Sequence, residues 1–190
     1  MTALLPGLDL PTPALPDGLT YHPDYLREAE ASHLLAAVEQ APWRTELKRP
    51  RQFYGADYRV EGEVEPLPPW LAETAARLHA EGHMAALADR VLVNGYHPGQ
   101  GIGAHVDDVD RCGGEVALLS LGSSVEMVFS EVGGDGQAAL MLEPRSLLML
   151  KGAARYGWTH GIPARKSDRV AGMWVARRWR ISLTFRTARG

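Results

Sequence analysis

The sequence predicts a mainly β fold, a sandwich or barrel of short strands with helices along one side. Three observations carry this. Past residue 90, six short runs rich in Val, Leu, Ile and Phe (RVLVNGY, EVALLSLG, VEMVFS, AALMLE, SLLMLKG and RISLTFR) follow one another, separated by Gly, Pro and Asp clusters such as GGDG at 133–136. Before them the periodicity is helical. Strands and helices do not alternate, which disfavours a parallel α/β sheet.

In order along the chain, residues 1–20 are Pro-rich and lack a basic n-region, so they read as an extended arm and not as a signal peptide. Residues 21–190 are the right length for one domain with a real core. DYLREAEASHLLAAVEQA (24–41) predicts an amphipathic helix with Leu26, Ala29, His33, Ala36 and Ala37 near one face. PLPPWLAETAARLHAEG (66–82) predicts a second. Pro68 and Pro69 suit its first turn, Leu71, Ala75 and Leu78 keep the 3.6-residue period, and Gly82 closes it. No stretch approaches 18 uninterrupted apolar residues, so no membrane span is expected. The single Cys112 cannot form an internal disulfide, which fits a cytoplasmic protein. A monomer is expected.

The net charge of −3 conceals an asymmetry. Residues 165–190 hold Arg165, Lys166, Arg169, Arg177, Arg178, Arg180, Arg186 and Arg189 against Asp168 alone, a local +7. RTELKRPR holds Arg44, Lys48, Arg49 and Arg51 against Glu46. Charge segregated in this way suggests an anionic partner, although a solvated basic surface reads the same.

The chemistry concentrates in the β half. In GQGIGAHVDDVD, an extended backbone puts His105 and Asp107 on one face, where an imidazole and a carboxylate can share a metal ion. An acidic turn is the competing reading, since Gly101, Gly103, Asp108 and Asp110 all favour turns. An EF-hand is a poor fit, because the bidentate Glu and the fixed spacing are missing. WTHGIP adds His160, completing a His, Asp, His set that leaves three iron coordination positions open, as oxygen activation requires. In RISLTFR, Arg180, Ser182, Thr184 and Arg186 share one face, and Ile181, Leu183 and Phe185 the other. The two guanidiniums, roughly 20 Å apart at full extension, could converge on the ends of a small diacid. The polar face of an edge strand is the plainer alternative. In VNGYHPG, Asn94 and Tyr96 offer an amide and a phenol on one face. A zinc hydrolase would use the same three metal donors but leaves the arginines unexplained. A metal-free jelly-roll binding module would need none of them.

N-x-Y-x-P-G, then H-x-D, a distant H-G-I and R-x-S-x-T-x-R together resemble the AlkB family of Fe(II)- and 2-oxoglutarate-dependent dioxygenases, over about residues 44–187. The wording of GYHPGQGIGAHVDD and PRSLLMLKGAARYGWTHGI is most similar to the branch that hydroxylates the wobble uridine of tRNA. The resemblance implies a double-stranded β-helix (jelly-roll) core over about 90–187, N-terminal helices and a nucleotide-recognition lid over about 44–62. It implies Fe(II) on His105, Asp107 and His160, with O2 and 2-oxoglutarate as cosubstrates. Arg180 would take the distal carboxylate and Arg186 the proximal end, with Asn94, Tyr96 and Ser182 assisting, and Tyr54 and Tyr58 would contact the substrate base. The implied reaction hydroxylates or oxidatively demethylates a base of single-stranded or flipped-out DNA or RNA, releasing succinate and CO2. Some relatives act on proteins instead. Val109 stands where repair-type bacterial members carry an acidic residue, a departure that weakens the case for direct alkyl-base repair.

Overall fold

The computed structural model describes residues 14–46, 49–55, 66–170 and 172–189. The chain runs β1 (Leu19–His22), α1 (Glu28–Gln40), β2 (Arg51–Gly55), α2 (Pro69–Ala80), β3 (Arg90–Tyr96) and β4 (Ile102–His105). It continues through β5 (Cys112–Gly122), β6 (Val125–Glu131), β7 (Gln137–Leu142), β8 (Leu147–Lys151) and the short α3 (Gly152–Tyr156). It ends with β9 (Trp158–Ile162), β10 (Ser167–Val170), β11 (Met173–Ala176) and β12 (Arg180–Ala188). All six predicted strands are present. The expected arm runs into the fold at its end, because Leu19 and Thr20 pair with Leu150 and Met149.

Both predicted helices form. Helix α1 is shorter than expected and buries a different stripe, Ala31, Leu34 and Val38, while Ala29, His33 and Ala36 are exposed. Burying Leu34 and Val38 removes more apolar area from water than burying alanines would, so the larger side chains set the helix rotation. Helix α2 buries Leu71, Ala75 and Leu78 as predicted. Gly82 follows its last turn at φ 76°, a left-handed conformation that glycine adopts without strain.

Two antiparallel sheets face each other in a jelly roll, six strands in the order β1-β8-β5-β12-β3-β2 and four in the order β4-β9-β6-β7. Strand alternation gives the large sheet two dry faces. Val91, Val93, Ala117, Leu119, Leu147, Ile181, Leu183 and Phe185 pack outward beneath Leu34, Val38, Leu71 and Leu78 of the helices. Val116, Leu118, Leu148 and Leu150 pack inward against Val125, Met127, Phe129 and Ile162 of the small sheet. Strand β12 lies between β3 and β5 and is no edge. Its polar face therefore looks into the space between the sheets, where Arg180, Ser182 and Thr184 are buried. A polar face there needs partners other than water.

Candidate active site

Strands β4 and β9 set the metal-binding geometry. They pair with His105 directly opposite His160, so the imidazole centroids stand 4.5 Å apart. That approach depends on Gly161, where a Cβ would meet the Ala104 backbone at 2.9 Å. Asp107 follows β4 and is buried, with Oδ1 4.0 Å from His105 Nε2 and Oδ2 3.9 Å from His160 Nε2. One donor atom from each of the three lies within 4.8 Å of the others, a spacing that can hold one metal ion.

The protonation states suit a metal. His105 Nδ1 lies 2.9 Å from the Gly103 carbonyl, which only accepts, so Nδ1 carries the proton and Nε2 presents its lone pair. Burial holds the His160 pKa down at about 4 against the pull of Asp107, leaving a neutral ligand at pH 7. Burial would raise the Asp107 carboxyl, but Arg186 and the two imidazoles outweigh it and keep it below the usual carboxylate range. Arg186 Nη2 donates to Asp107 Oδ1 at 2.5 Å, while the buried Oδ2 has no hydrogen-bond partner among the described residues.

Cationic side chains of β12 continue from the triad, with Arg186 on Asp107 at one end and Arg180 at the other. In register across the large sheet, Ser182 lies between Asn94 and Ser120. Arg180 donates from Nη2 to Ser120 Oγ at 3.0 Å and lies 5.2 Å from the centre of the Tyr96 ring. Burial lowers its pKa to about 10, so it remains a cation at neutral pH. Its Nε and Nη1, and Nε of Arg186, are buried donors without hydrogen-bond partners among the described residues. An unpaired carboxylate oxygen among the imidazoles and unpaired guanidinium N–H groups nearby fit a metal ion and a dicarboxylate.

Some participants were not anticipated. Arg49 donates to Asn94 Oδ1 at 3.0 Å and to the Gly101 carbonyl at 3.0 Å, and covers Tyr96 from 5.0 Å. Arg155 donates from Nη1 to the Asp107 carbonyl at 2.9 Å, from Nη2 to that of Asp108 at 3.1 Å and from Nε to that of Gly113 at 3.3 Å. Ser120 did leave a signal, as a hydroxyl inside the apolar run VALLSLG.

Tyr54 is not brought to the site. Alternation along β2 puts it beside Gln52 on the helix-facing side, where its hydroxyl donates to Gln52 Oε1 and its ring meets Trp70 edge-on at 5.4 Å. Tyr58 lies outside the described residues.

A jelly roll that brings two imidazoles, a carboxylate, a buried arginine and a partly buried one together defines a non-haem iron oxygenase that uses an oxo-diacid. The family described as the 2OG-Fe(II) oxygenase superfamily matches residues 20–186. The chain belongs to that superfamily and, within it, to the AlkB family. It is 30% identical to the mouse protein named alpha-ketoglutarate-dependent dioxygenase alkB homolog 7, mitochondrial, across 91% of this chain and 80% of that one. It is 34% identical to mouse tRNA (carboxymethyluridine(34)-5-O)-methyltransferase ALKBH8 across 83% of this chain, but it spans only 26% of that relative's length. The solved structure of OsALKBH1 shares the fold, with a TM-score of 0.67 at 18% identity over 92% of this chain and 100% of that one. The chain is thus a 2-oxoglutarate-dependent dioxygenase whose cofactor is Fe(II) and whose cosubstrates are 2-oxoglutarate and O2.

Proposed function

We propose that this dioxygenase hydroxylates or oxidatively demethylates a base of single-stranded or flipped-out nucleic acid, acting as a monomer. In this reading His105, Asp107 and His160 hold the iron, Arg180 and Arg186 hold 2-oxoglutarate, and Asn94, Tyr96 and Ser182 line its pocket. The observation that carries the site assignment is the set of buried unpaired atoms: Asp107 Oδ2, Arg180 Nε and Nη1, and Arg186 Nε. Leaving such atoms buried and unmatched costs about 1–3 kcal/mol each, more for charged groups, so they call for ligands of complementary charge. For the substrate, the support is the cationic C-terminal segment and the tRNA activity named for the mouse relative.

Iron with 2-oxoglutarate and O2 supplies oxidation of a substrate C–H bond, coupled to decarboxylation of the oxo-acid to succinate and CO2. The protein's own residues do the rest. Asp107 stays ionised beside Arg186, with one oxygen held and the other available. Arg180 meets one carboxylate while Ser120 fixes its guanidinium. Leu118, Phe129 and Ile162 between the sheets exclude water. Beside β4, a groove of about 630 Å³ runs past Arg49, Arg51, Gly101, Gly103 and Ala164, along the segment that leads to His105. It offers a cationic approach for a polyanion.

The test is anaerobic loading with Fe(II) and 2-oxoglutarate, then O2 and a panel of methylated single- and double-stranded DNA, methylated RNA, tRNA with modified wobble uridines, and peptides. Wild-type protein is expected to form succinate only with iron, and H105A and D107A to lose at least about a hundredfold in rate. Modified base should appear from a single-stranded member of the panel. Product from peptides alone would reassign the substrate to protein. No succinate from iron-loaded protein would overturn the site assignment.

A further inference from the structure

Strands β10 and β11 form a two-stranded ribbon that joins neither main sheet. The ribbon is strung between β9, which carries His160, and β12, which opens at Arg180. A lone two-stranded ribbon is marginal in water, and this one is pinned at its root. Buried Asp168 accepts from Arg177 Nε at 2.6 Å and Nη2 at 2.7 Å and from Arg165 Nε at 2.8 Å, while Arg177 Nη1 donates to the Pro163 carbonyl at 2.7 Å.

Beyond that root the ribbon exposes what a soluble surface usually hides. Met173 is 69%, Trp174 70% and Val175 42% exposed. Trp174 is the cross-strand partner of Arg169, whose Nε donates to the Gly172 carbonyl at 3.3 Å. Lys166 and Arg178 are exposed close by, and the one acid between 163 and 189 is the buried Asp168. The exposed ribbon therefore carries a flat aromatic surface, apolar neighbours and three cations, with no anion. Its root adjoins the groove beside β4: the Gly99 N–H donates to the Arg165 carbonyl, and Ala164 lines the wall.

We infer that this ribbon docks the single strand of nucleic acid flanking the reacting base. An unpaired base stacks on Trp174 on the ribbon face it shares with Arg169, and the backbone phosphates lie on Arg169, Lys166 and Arg178. The inference rests on the nucleic-acid reading above and locates its binding surface. Charge selects this occupant: a second copy would bring the same cations against themselves, whereas a polyanion neutralises them.

The test is fluorescence anisotropy of unmodified, labelled single-stranded DNA and RNA 12-mers over a salt series. It compares wild type, W174A, W174F and the triple variant K166A/R169A/R178A. W174A is expected to weaken binding about tenfold, W174F to restore most of it, and the triple variant to flatten the log–log salt slope by about two. These side chains are exposed, so unchanged melting temperatures are expected throughout. Salt-dependent wild-type binding that W174A and the triple variant leave intact would sink the ribbon while sparing the nucleic-acid reading. No oligonucleotide binding by wild type would sink both. Trp174-dependent binding to phosphatidylserine vesicles or Trp174-dependent dimers in sedimentation, without oligonucleotide binding, would overturn the inference and hand the ribbon to a membrane or to a second copy.

Discussion

Arg155 is 2% exposed and directs every guanidinium nitrogen at a main-chain carbonyl, two in the segment between β4 and β5 and one at the start of β5. It sits five residues before His160, so one short segment supplies the second imidazole and also grips the backbone that presents Asp107. Arg155 is thus a positioning residue for the proposed site: it would not touch the metal, but it fixes the backbone that carries the Asp107 carboxylate. Such supporting partners are worth about 10- to 100-fold in metal affinity. R155M should lower Fe(II) affinity by that factor in anaerobic titration, with little change in the 2-oxoglutarate dissociation constant. R155K, which keeps part of the hydrogen bonding, should recover some of the loss. Equal weakening of both ligands, together with a large drop in melting temperature, would reduce Arg155 to general core support.

Strands β4 and β9 hold the two histidines in register only because residue 161 has no side chain. In G161A the new Cβ would meet Ala104 N at 2.9 Å, Ala104 Cα at 3.0 Å and the Ile102 carbonyl oxygen at 3.1 Å, mostly rigid backbone. Strand β4 must then shift outward and carry His105 from His160. Displacement on the ångström scale costs about a hundredfold in rate, and overpacking of this kind about 1–3 kcal/mol in stability. Iron-dependent succinate formation and urea unfolding of G161A measure the two separately, and a fully active variant would show that the pairing tolerates the shift. The same strands mark the limit of what the sequence reveals. Runs such as RVLVNGY and SLLMLKG declare themselves through apolar residues, whereas IGAH and WTHGI do not, because glycine and histidine occupy positions where a strand pattern would show. The His105, Asp107, His160 set and the alternation of RISLTFR were readable. Whether that strand is central or edge was not, since its buried Arg180, Ser182 and Thr184 are residue types normally met in solvent. Arg49 and Arg155 reach the site from distant segments, and no local pattern announces them.

At the scale of the molecule, Asp168 ties three parts together. It lies in β10, grips Arg177 just ahead of β12, and shares Arg165 with Glu126 of β6, so the ribbon is fastened to both main sheets through one carboxylate. Burial opposes its ionisation, but the Arg177 and Arg165 guanidiniums prevail and hold its carboxyl below the ordinary range. The sign of the pH dependence follows. An aspartate in the unfolded chain takes up its proton near pH ~3.9, and the folded one does so only at lower pH. Below the unfolded value the unfolded state therefore binds more protons, and acid favours unfolding. Stability from this carboxylate is complete above about pH 4 and disappears as pH falls through the folded value. Removing one partner of a buried ion pair costs about 3 kcal/mol, so D168N should unfold at lower urea than wild type at pH 7. The gap should close as both proteins are acidified below about pH 4, and amide exchange over 167–176 should speed up in D168N at neutral pH while β12 stays protected. A gap that persists unchanged into acid would mean that the shape of the aspartate, and not its charge, fastens the ribbon.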